Sequence, residues 1–307
     1  MTQQNTQNHT STDQLEFQNP VTRFPTIEPP KQHQPEPGLD AELIPQADRG
    51  EKTYRGTGRL EGRKALITGA DSGIGAAVAI AFSREGADVA LNYLPDEETD
   101  AQYIKELLEK EGRVVHLLAG DLLDHEFCRT VVDEAHEKLG GLDILVNNAG
   151  KQVVTEGLEG LSDEELEATY DVNILAMFRI TRQALKYLPA GSSIVNSTSI
   201  QAYEPSPHIM HYASTKAAIN NFSKGLSQDL APKGIRVNAV APGPIWTPLQ
   251  VSDGQPKEAL PKFGQNTPIG RAGQPTELAP AYVFLASSES SYVIGETLNV
   301  NGGQVSP

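Results

Sequence analysis

Cysteine is nearly absent from this chain, at one residue in 307, and tryptophan and methionine are scarce, at one and three. The lone Cys128 excludes an intramolecular disulfide framework and fits a reducing compartment. It lies in the amphipathic helical pattern DHEFCRTVVDEAHEKLG and reads as an ordinary, partly buried thiol. No run approaches the roughly 20 apolar residues of a membrane helix. The start, MTQQNTQNHTSTDQ, has neither the basic stretch nor the apolar core of a secretory signal, so the cytosol is the expected location. Bases are also short, at 25 Lys and Arg against 40 Asp and Glu, for a net charge of −15. That balance argues against nucleic acid as a partner and against attraction to an anionic membrane. Histidine and carboxylate residues do not cluster at ligand spacing, so no metal is expected.

What is present changes character along the chain. Residues 1–55, with QQNTQNH and FPTIEPPKQHQPEPG, are rich in Gln, Asn and Pro and lack apolar periodicity. They read as a flexible tail, or as an arm lying on its own domain or wrapping a neighbouring subunit. Phe17, Phe24, Ile27, Leu39 and Leu43 are its few candidate anchors. Residues 56–307 then alternate short β-rich runs (KALITG, DVALNY, VVHLLAG, DILVNNAG, SSIVNSTS, GIRVNAVAPG, ETLNVNGG) with helical patterns. That rhythm implies one α/β domain of Rossmann type: a doubly wound parallel sheet of about seven strands with helices on both faces.

The first strand runs into TGADSGIG, where Gly69, Gly73 and Gly75 stand between strand and helix. Glycines there let the backbone approach a pyrophosphate, and the helix N-terminus supplies free N–H groups. In HYASTK, Tyr212 and Lys216 are four residues apart and share one helical face. A nearby ammonium favours ionisation of a phenol whose ordinary pKa is about 10, so Tyr212 is the candidate general acid/base and Lys216 its tuner. Ser199, at the end of SSIVNSTS, is the candidate for a hydrogen bond to a substrate oxygen. Ser197 competes for that role, and the thirteen-residue spacing to Tyr212 favours Ser199. A covalent serine mechanism is not indicated, because no nucleophile elbow surrounds Ser199. Gln201, Tyr203 and His208 lie between that strand and the Tyr212 helix and are candidates for shaping the substrate pocket. His211 reads as a surface or supporting residue.

TGxxxGxG, the run Asn147-Asn148-Ala149-Gly150, Asn173 in DVNI, Ser199, YxxxK and PGPIWT follow one another in family order. Over residues 60–305 the chain resembles the short-chain dehydrogenase/reductase family. With its amino-terminal extension, SIQAYEPSP and APGPIWT, it further resembles a poorly characterised, stress-associated bacterial subgroup. The resemblance implies hydride transfer between a nicotinamide and an alcohol or carbonyl compound, catalysed by Asn173, Ser199, Tyr212 and Lys216. In it the Asn173 backbone carbonyl holds a relay water, and Lys216 binds the nicotinamide ribose. Gly69, Asp71, Ser72, Gly73, Ile74 and Gly75 would cradle the dinucleotide. Asn92, Tyr93, Asp121, Leu122, Asn147, Ala149 and Gly150 would flank its adenosine and ribose. Pro242, Gly243, Ile245 and Thr247 would lie at the nicotinamide. A homotetramer is the family's usual assembly.

The second strand ends without a base at Asn92, Tyr93 or Leu94, and Asp71, Asp96 and Glu97 stand nearby. Their repulsion of a 2′-phosphate favours NAD over NADP, which stays possible. The Gly- and Pro-punctuated segment 248–271 suits a lid over a small-molecule substrate. A non-catalytic dinucleotide sensor or scaffold is the alternative reading, disfavoured because it has no need of Ser199, Tyr212 and Lys216 together. An epimerase or dehydratase with transiently used NAD ranks lower.

Overall fold

The β-rich runs become seven parallel strands because their residues are apolar on both faces, as a sheet covered by helices on each side requires. The computed structural model describes residues 14–304. The strands are β1 (Lys64–Thr68), β2 (Asp88–Tyr93), β3 (Val115–Ala119), β4 (Ile144–Asn147), β5 (Ser193–Ser197), β6 (Arg236–Pro242) and β7 (Thr297–Val300). They form one sheet in the order β3-β2-β1-β4-β5-β6-β7. Ala65 and Ile67 of β1 and Ile144 and Val146 of β4 pack towards α1 (Gly73–Arg84), α2 (Glu98–Lys110) and α7 (Pro275–Ala286). Leu66 and Leu145 point the other way, to α3 (Phe127–Leu139) and α5 (Ala176–Ala184), with α6 (Met210–Leu230) closing that face. This is the doubly wound, Rossmann-type sheet that the alternating pattern implied.

Strand order reverses between β1 and β4, and a crevice opens there beyond the carboxyl ends of the strands. Between α4 (Asp163–Tyr170) and α5 the chain makes a π-helical segment, Asp171–Leu175. Such a one-residue insertion shifts the face each following side chain presents. Cys128 is fully buried in α3, and burial pushes its thiol up to about 11, which keeps it unreactive.

Residues 14–55 lie along their own domain. Ile27 and Leu43 pack with Trp246, Val251, Leu260, Phe263 and Ala272 in a separate apolar cluster. The Trp246 indole N–H donates to the Pro45 carbonyl at 2.8 Å, and the Gln34 amide donates to the Val251 carbonyl at 3.0 Å. Phe24 is buried against the Arg23 and Arg271 guanidinium groups, whereas Phe17 is exposed. A Gln- and Pro-rich sequence thus gains its order from scattered anchors and from backbone bonds to the segment after β6. Further on, the Glu85 carboxylate at the end of α1 accepts from the Tyr54 hydroxyl, the Thr57 and Arg59 amides and the Arg59 guanidinium, at 2.7–3.1 Å. Burial opposes its ionisation, and those donors outweigh it, holding Glu85 at about 2. Among the described residues no helix is long and apolar enough to cross a membrane.

Candidate active site

The crevice at the strand reversal is a cleft of about 1300 Å³. Its floor is the glycine turn. Gly73 adopts φ +49°, a conformation open to few side chains, and a Cβ there would lie 2.9 Å from the Thr247 methyl. At Gly75 a Cβ would lie 1.8 Å from the Gly69 carbonyl oxygen, so only glycine lets α1 start this close to β1. Asn148 ties the turn from the β4 side, its side-chain amide donating to the Thr68 and Gly69 carbonyls at 3.2 and 2.9 Å. The Thr68 hydroxyl in turn accepts from the Asn148 and Ala149 amides at 3.0 and 3.1 Å. The asparagine doublet before Ala149 carried a signal for this; the sequence reading took only Asn147 from it.

Ser199, Tyr212 and Lys216 meet on one wall of the cleft, all three buried. The Ser199 hydroxyl is near enough to the Tyr212 phenol to favour its ionised form, and it accepts from the Gln201 amide at 3.1 Å. Lys216 Nζ lies 5.3 Å from the Tyr212 ring centroid and donates to the Ser197 carbonyl at 3.0 Å. Ser197 itself bonds the Tyr282 hydroxyl at 2.7 Å and donates to Asn148 Oδ1 at 3.2 Å, so it braces the floor while Ser199 faces the tyrosine. Nothing local in the sequence pointed to Tyr282, which reaches the site from α7. Asn173, on the π-helical segment, sits behind the wall. Its Oδ1 accepts from the Lys151 amide at 2.7 Å, and its Nδ2 donates to the Lys151 carbonyl and the Thr215 hydroxyl, each at 3.0 Å. A Cβ at Gly150 would stand 3.4 Å from Lys216 Nζ and 3.5 Å from Asn173 Oδ1, which measures how tightly these groups converge.

The electrostatics differ from the sequence expectation in one respect. Burial dominates at Tyr212 and pushes it up to about 12, opposed by the Ser199 hydroxyl. Burial likewise lowers Lys216 to about 8. The protein by itself keeps the phenol protonated, because burial disfavours the phenolate.

Most of the expected nucleotide residues line the cleft: Gly69, Asp71, Ser72, Gly73, Ile74, Asn92, Tyr93, Asp121, Leu122, Ala149, Gly150, Pro242, Gly243, Ile245 and Thr247. Gly75 and Asn147 lie behind them. Gln201 reaches the substrate side, but Tyr203 and His208 do not line it. The chain there makes two tight turns, Ile200–Ala202 and Pro207–Ile209, which leave His208 exposed and bring Glu204, Ser206 and Ile209 to the cleft instead. His211 is buried rather than on the surface, and burial lowers its pKa. Near the carboxyl end of β2 Asp71 is buried with no donor to Oδ2, and Glu97 stands close to it. Burial raises both; repulsion from Glu97 adds to it at Asp71, and repulsion from Asp100 and Asp40 adds to it at Glu97, which reaches about 7.

A turn that only glycine can form, opening onto the N-terminus of α1, fits a dinucleotide pyrophosphate. A family model described as enoyl-(acyl carrier protein) reductase matches residues 69–304. The chain belongs to the short-chain dehydrogenase/reductase family. An uncharacterized oxidoreductase of Escherichia coli, YghA, is 56% identical over 94% of this chain and 98% of its own length. The NADPH-dependent aldehyde reductase 1 of Arabidopsis thaliana chloroplasts is 43% identical, covering 90% of this chain and 97% of its own. A Burkholderia cenocepacia short-chain dehydrogenase solved with NADP is 34% identical, with a TM-score of 0.73 over 80% of this chain and 98% of that one. This short-chain dehydrogenase/reductase is therefore an NAD(P)-using oxidoreductase, and Ser199, Tyr212 and Lys216 stand in the same cleft as the glycine turn.

Proposed function

We propose that the chain interconverts an alcohol with an aldehyde or ketone, using Tyr212 as general acid/base. The observation that carries this is the convergence of the buried Ser199, Tyr212 and Lys216 on one wall of the cleft that also holds the glycine turn, with Lys216 Nζ 5.3 Å from the Tyr212 ring centroid. A nicotinamide held in this cleft would supply the hydride for reduction of the carbonyl carbon, or accept it in the reverse direction. In reduction the Tyr212 hydroxyl gives its proton to the carbonyl oxygen, and Ser199 holds that oxygen in line. The Lys216 ammonium stabilises the resulting phenolate, and Asn173 steadies the Lys151 backbone behind it. With its pKa near 12 Tyr212 starts protonated at neutral pH, which suits reduction.

For the nucleotide we favour NAD. Only three bases line the cleft, Lys151, Lys216 and Lys262, and none belongs to the β2 end, where Asp71 and Glu97 stand. The NADPH-dependent relative and the NADP-bound neighbour argue the other way, which makes relative affinity worth measuring directly. The substrate side mixes polar residues, Gln201, Glu204, Ser206, Gln255 and Lys262, with apolar ones, Ile209, Leu249 and Phe263.

The test is a panel of aldehydes and ketones with the reduced nicotinamides, followed by absorbance, with Tyr212→Phe as the paired variant. Losing a positioned general acid costs about 10²–10⁴-fold in rate. Equal rates for wild type and Tyr212→Phe would remove Tyr212 from the reaction. Tight nucleotide binding with no carbonyl compound turned over would return the reading to a sensor.

A further inference from the structure

The family match starts at residue 69, so the N-terminal arm lies outside it, yet the arm reaches both ends of the cleft. Glu36, Pro37 and Gly38 form part of the cleft wall. Glu36 holds Lys151 Nζ at 2.6 Å, next to Asn173, and His33 holds Asp253 at 2.9 Å. A Cβ on Gly38 would sit 3.0 Å from the Ser252 hydroxyl and 3.1 Å from the Pro248 carbonyl, so the arm lies flat against the segment that follows Thr247.

The contact with most consequence is at the glycine turn. Ser72 precedes α1 in the capping position, but its side chain makes no capping bond. The cap comes instead from the arm: Asp40 Oδ2 accepts from the Gly73 amide at 2.8 Å. Asp40 is buried, and the Arg49 guanidinium donates to the same oxygen at 3.1 Å. Arg49 is itself paired with Glu51 at 2.6 Å. From α2, the Asp100 carboxylate accepts from the Asp40 and Ala41 amides at 2.6 and 3.3 Å, which fixes the arm's backbone in place. Gly73 holds φ +49°, a conformation few side chains adopt, and it lines the cleft together with Ile74.

We propose that the arm is a working wall of the nucleotide site, and that Asp40 is the positioning residue that holds the glycine turn in the shape a dinucleotide needs. An opposite effect competes: a carboxylate at a helix N-terminus draws on the same positive end that attracts a pyrophosphate. Arg49, which it shares with Glu51, offsets part of that charge, and in the proposal the geometric contribution outweighs the remainder, so that its loss weakens binding.

Full-length Asp40→Ala and Asp40→Asn are compared with wild type, and with Lys31→Ala as an arm control, since Lys31 meets only the exposed Glu258 at 3.9 Å. NADH and NADPH binding is read from nicotinamide fluorescence without turnover, so the outcome does not depend on the proposed reaction. Trp246, the one tryptophan of the chain, is buried against the arm, and its emission reports whether the arm stays docked. Asp40→Ala is expected to raise the dissociation constant and nucleotide KM about tenfold, with kcat unchanged. Asp40→Asn, which keeps an oxygen for the Gly73 amide, is expected to recover most of that loss, and Lys31→Ala to lose nothing. If Asp40→Ala releases the arm, Trp246 emission moves to the red, and weakened binding then supports the arm as a wall. Wild-type or tighter binding by Asp40→Ala, with the arm docked or released, overturns the proposal. An equal loss in both Asp40 variants assigns the effect to charge and overturns the positioning role.

Discussion

Replacing Glu97 with Gln probes the adenosine end of the cleft, where the choice between NAD and NADP is made. Asp71 is buried and Glu97, its neighbour, half-buried, and both carboxyls have raised pKa values, Glu97 to about 7. Asp40 and Asp100 add negative charge behind them, with Arg49 the opposing base. The sign follows directly: an acid with a raised pKa is neutral below it and charged above it. The pair therefore takes on charge as the pH rises through about 7, and a bound 2′-phosphate meets repulsion only then. Two unit charges 4 Å apart interact by about 1 kcal/mol in water and about 4 kcal/mol near a protein surface. A 2′-phosphate stands further off, so about 1.4 kcal/mol, or tenfold in affinity, is a reasonable expectation. The assay is the ratio of NADPH to NADH dissociation constants at pH 6 and pH 8. In wild type that ratio should move about tenfold against NADPH between the two. In Glu97→Gln it should start close to the wild-type ratio at pH 6 and rise less by pH 8. A ratio that does not move with pH in wild type would refute the reasoning, because no carboxyl titrating near neutrality would then face the phosphate.

Two further substitutions test how the floor and the scaffold are held. Gly75→Ala would place a methyl 1.8 Å from the Gly69 carbonyl oxygen, and neither backbone can yield without moving β1 or α1. Nucleotide binding should fall below detection in titration calorimetry, and wild-type affinity would show that the turn is looser than its geometry implies. Glu85→Gln removes a buried carboxylate held at about 2 against an ordinary 4.5. Its folded-state pKa is depressed, so its stabilisation is present above about pH 4.5 and is lost as pH falls towards 2. The shift corresponds to about 3 kcal/mol, and urea unfolding at pH 7 should register a loss of that order. A loss that persists unchanged at pH 3 would argue for packing rather than charge.

The strands, the glycine turn and the Tyr212–Lys216 pair were legible because each is written in local spacing: period, glycine position, one helical turn. Ser199 was separated from Ser197 by spacing alone, and the structure adds the physical reason, since Ser197 is committed to Tyr282 and Asn148. Tyr203 and His208 were misjudged because proximity in sequence to Tyr212 says nothing about which way a short turn aims its side chains. Asp40 could not have been found from the sequence. Its partners, Gly73, Arg49 and the Asp100 carboxylate, come from separate elements, and a polar, proline-rich segment gives no periodic hint of burial. Of its suggested anchors, Phe24, Ile27 and Leu43 are buried, whereas Phe17 is not. Cofactor choice was hardest to read, because it depends on how burial shifts two carboxyls that on a surface would simply be charged.

The π-helical segment Asp171–Leu175 has a consequence for how this chain can vary. One residue of a regular α-helix corresponds to about 100° of rotation. Deleting a single residue there would restore an uninterrupted helix from α4 into α5 and improve its local hydrogen bonding. It would also turn one half of that helix by about a quarter revolution against the other. The Asn173 amide would then leave Lys151 and Thr215, or α5 would lift Met177 and Ile180 out of the core. The more regular helix is therefore the one this fold cannot adopt, and natural length variation should skip this stretch while the flanking loops tolerate it.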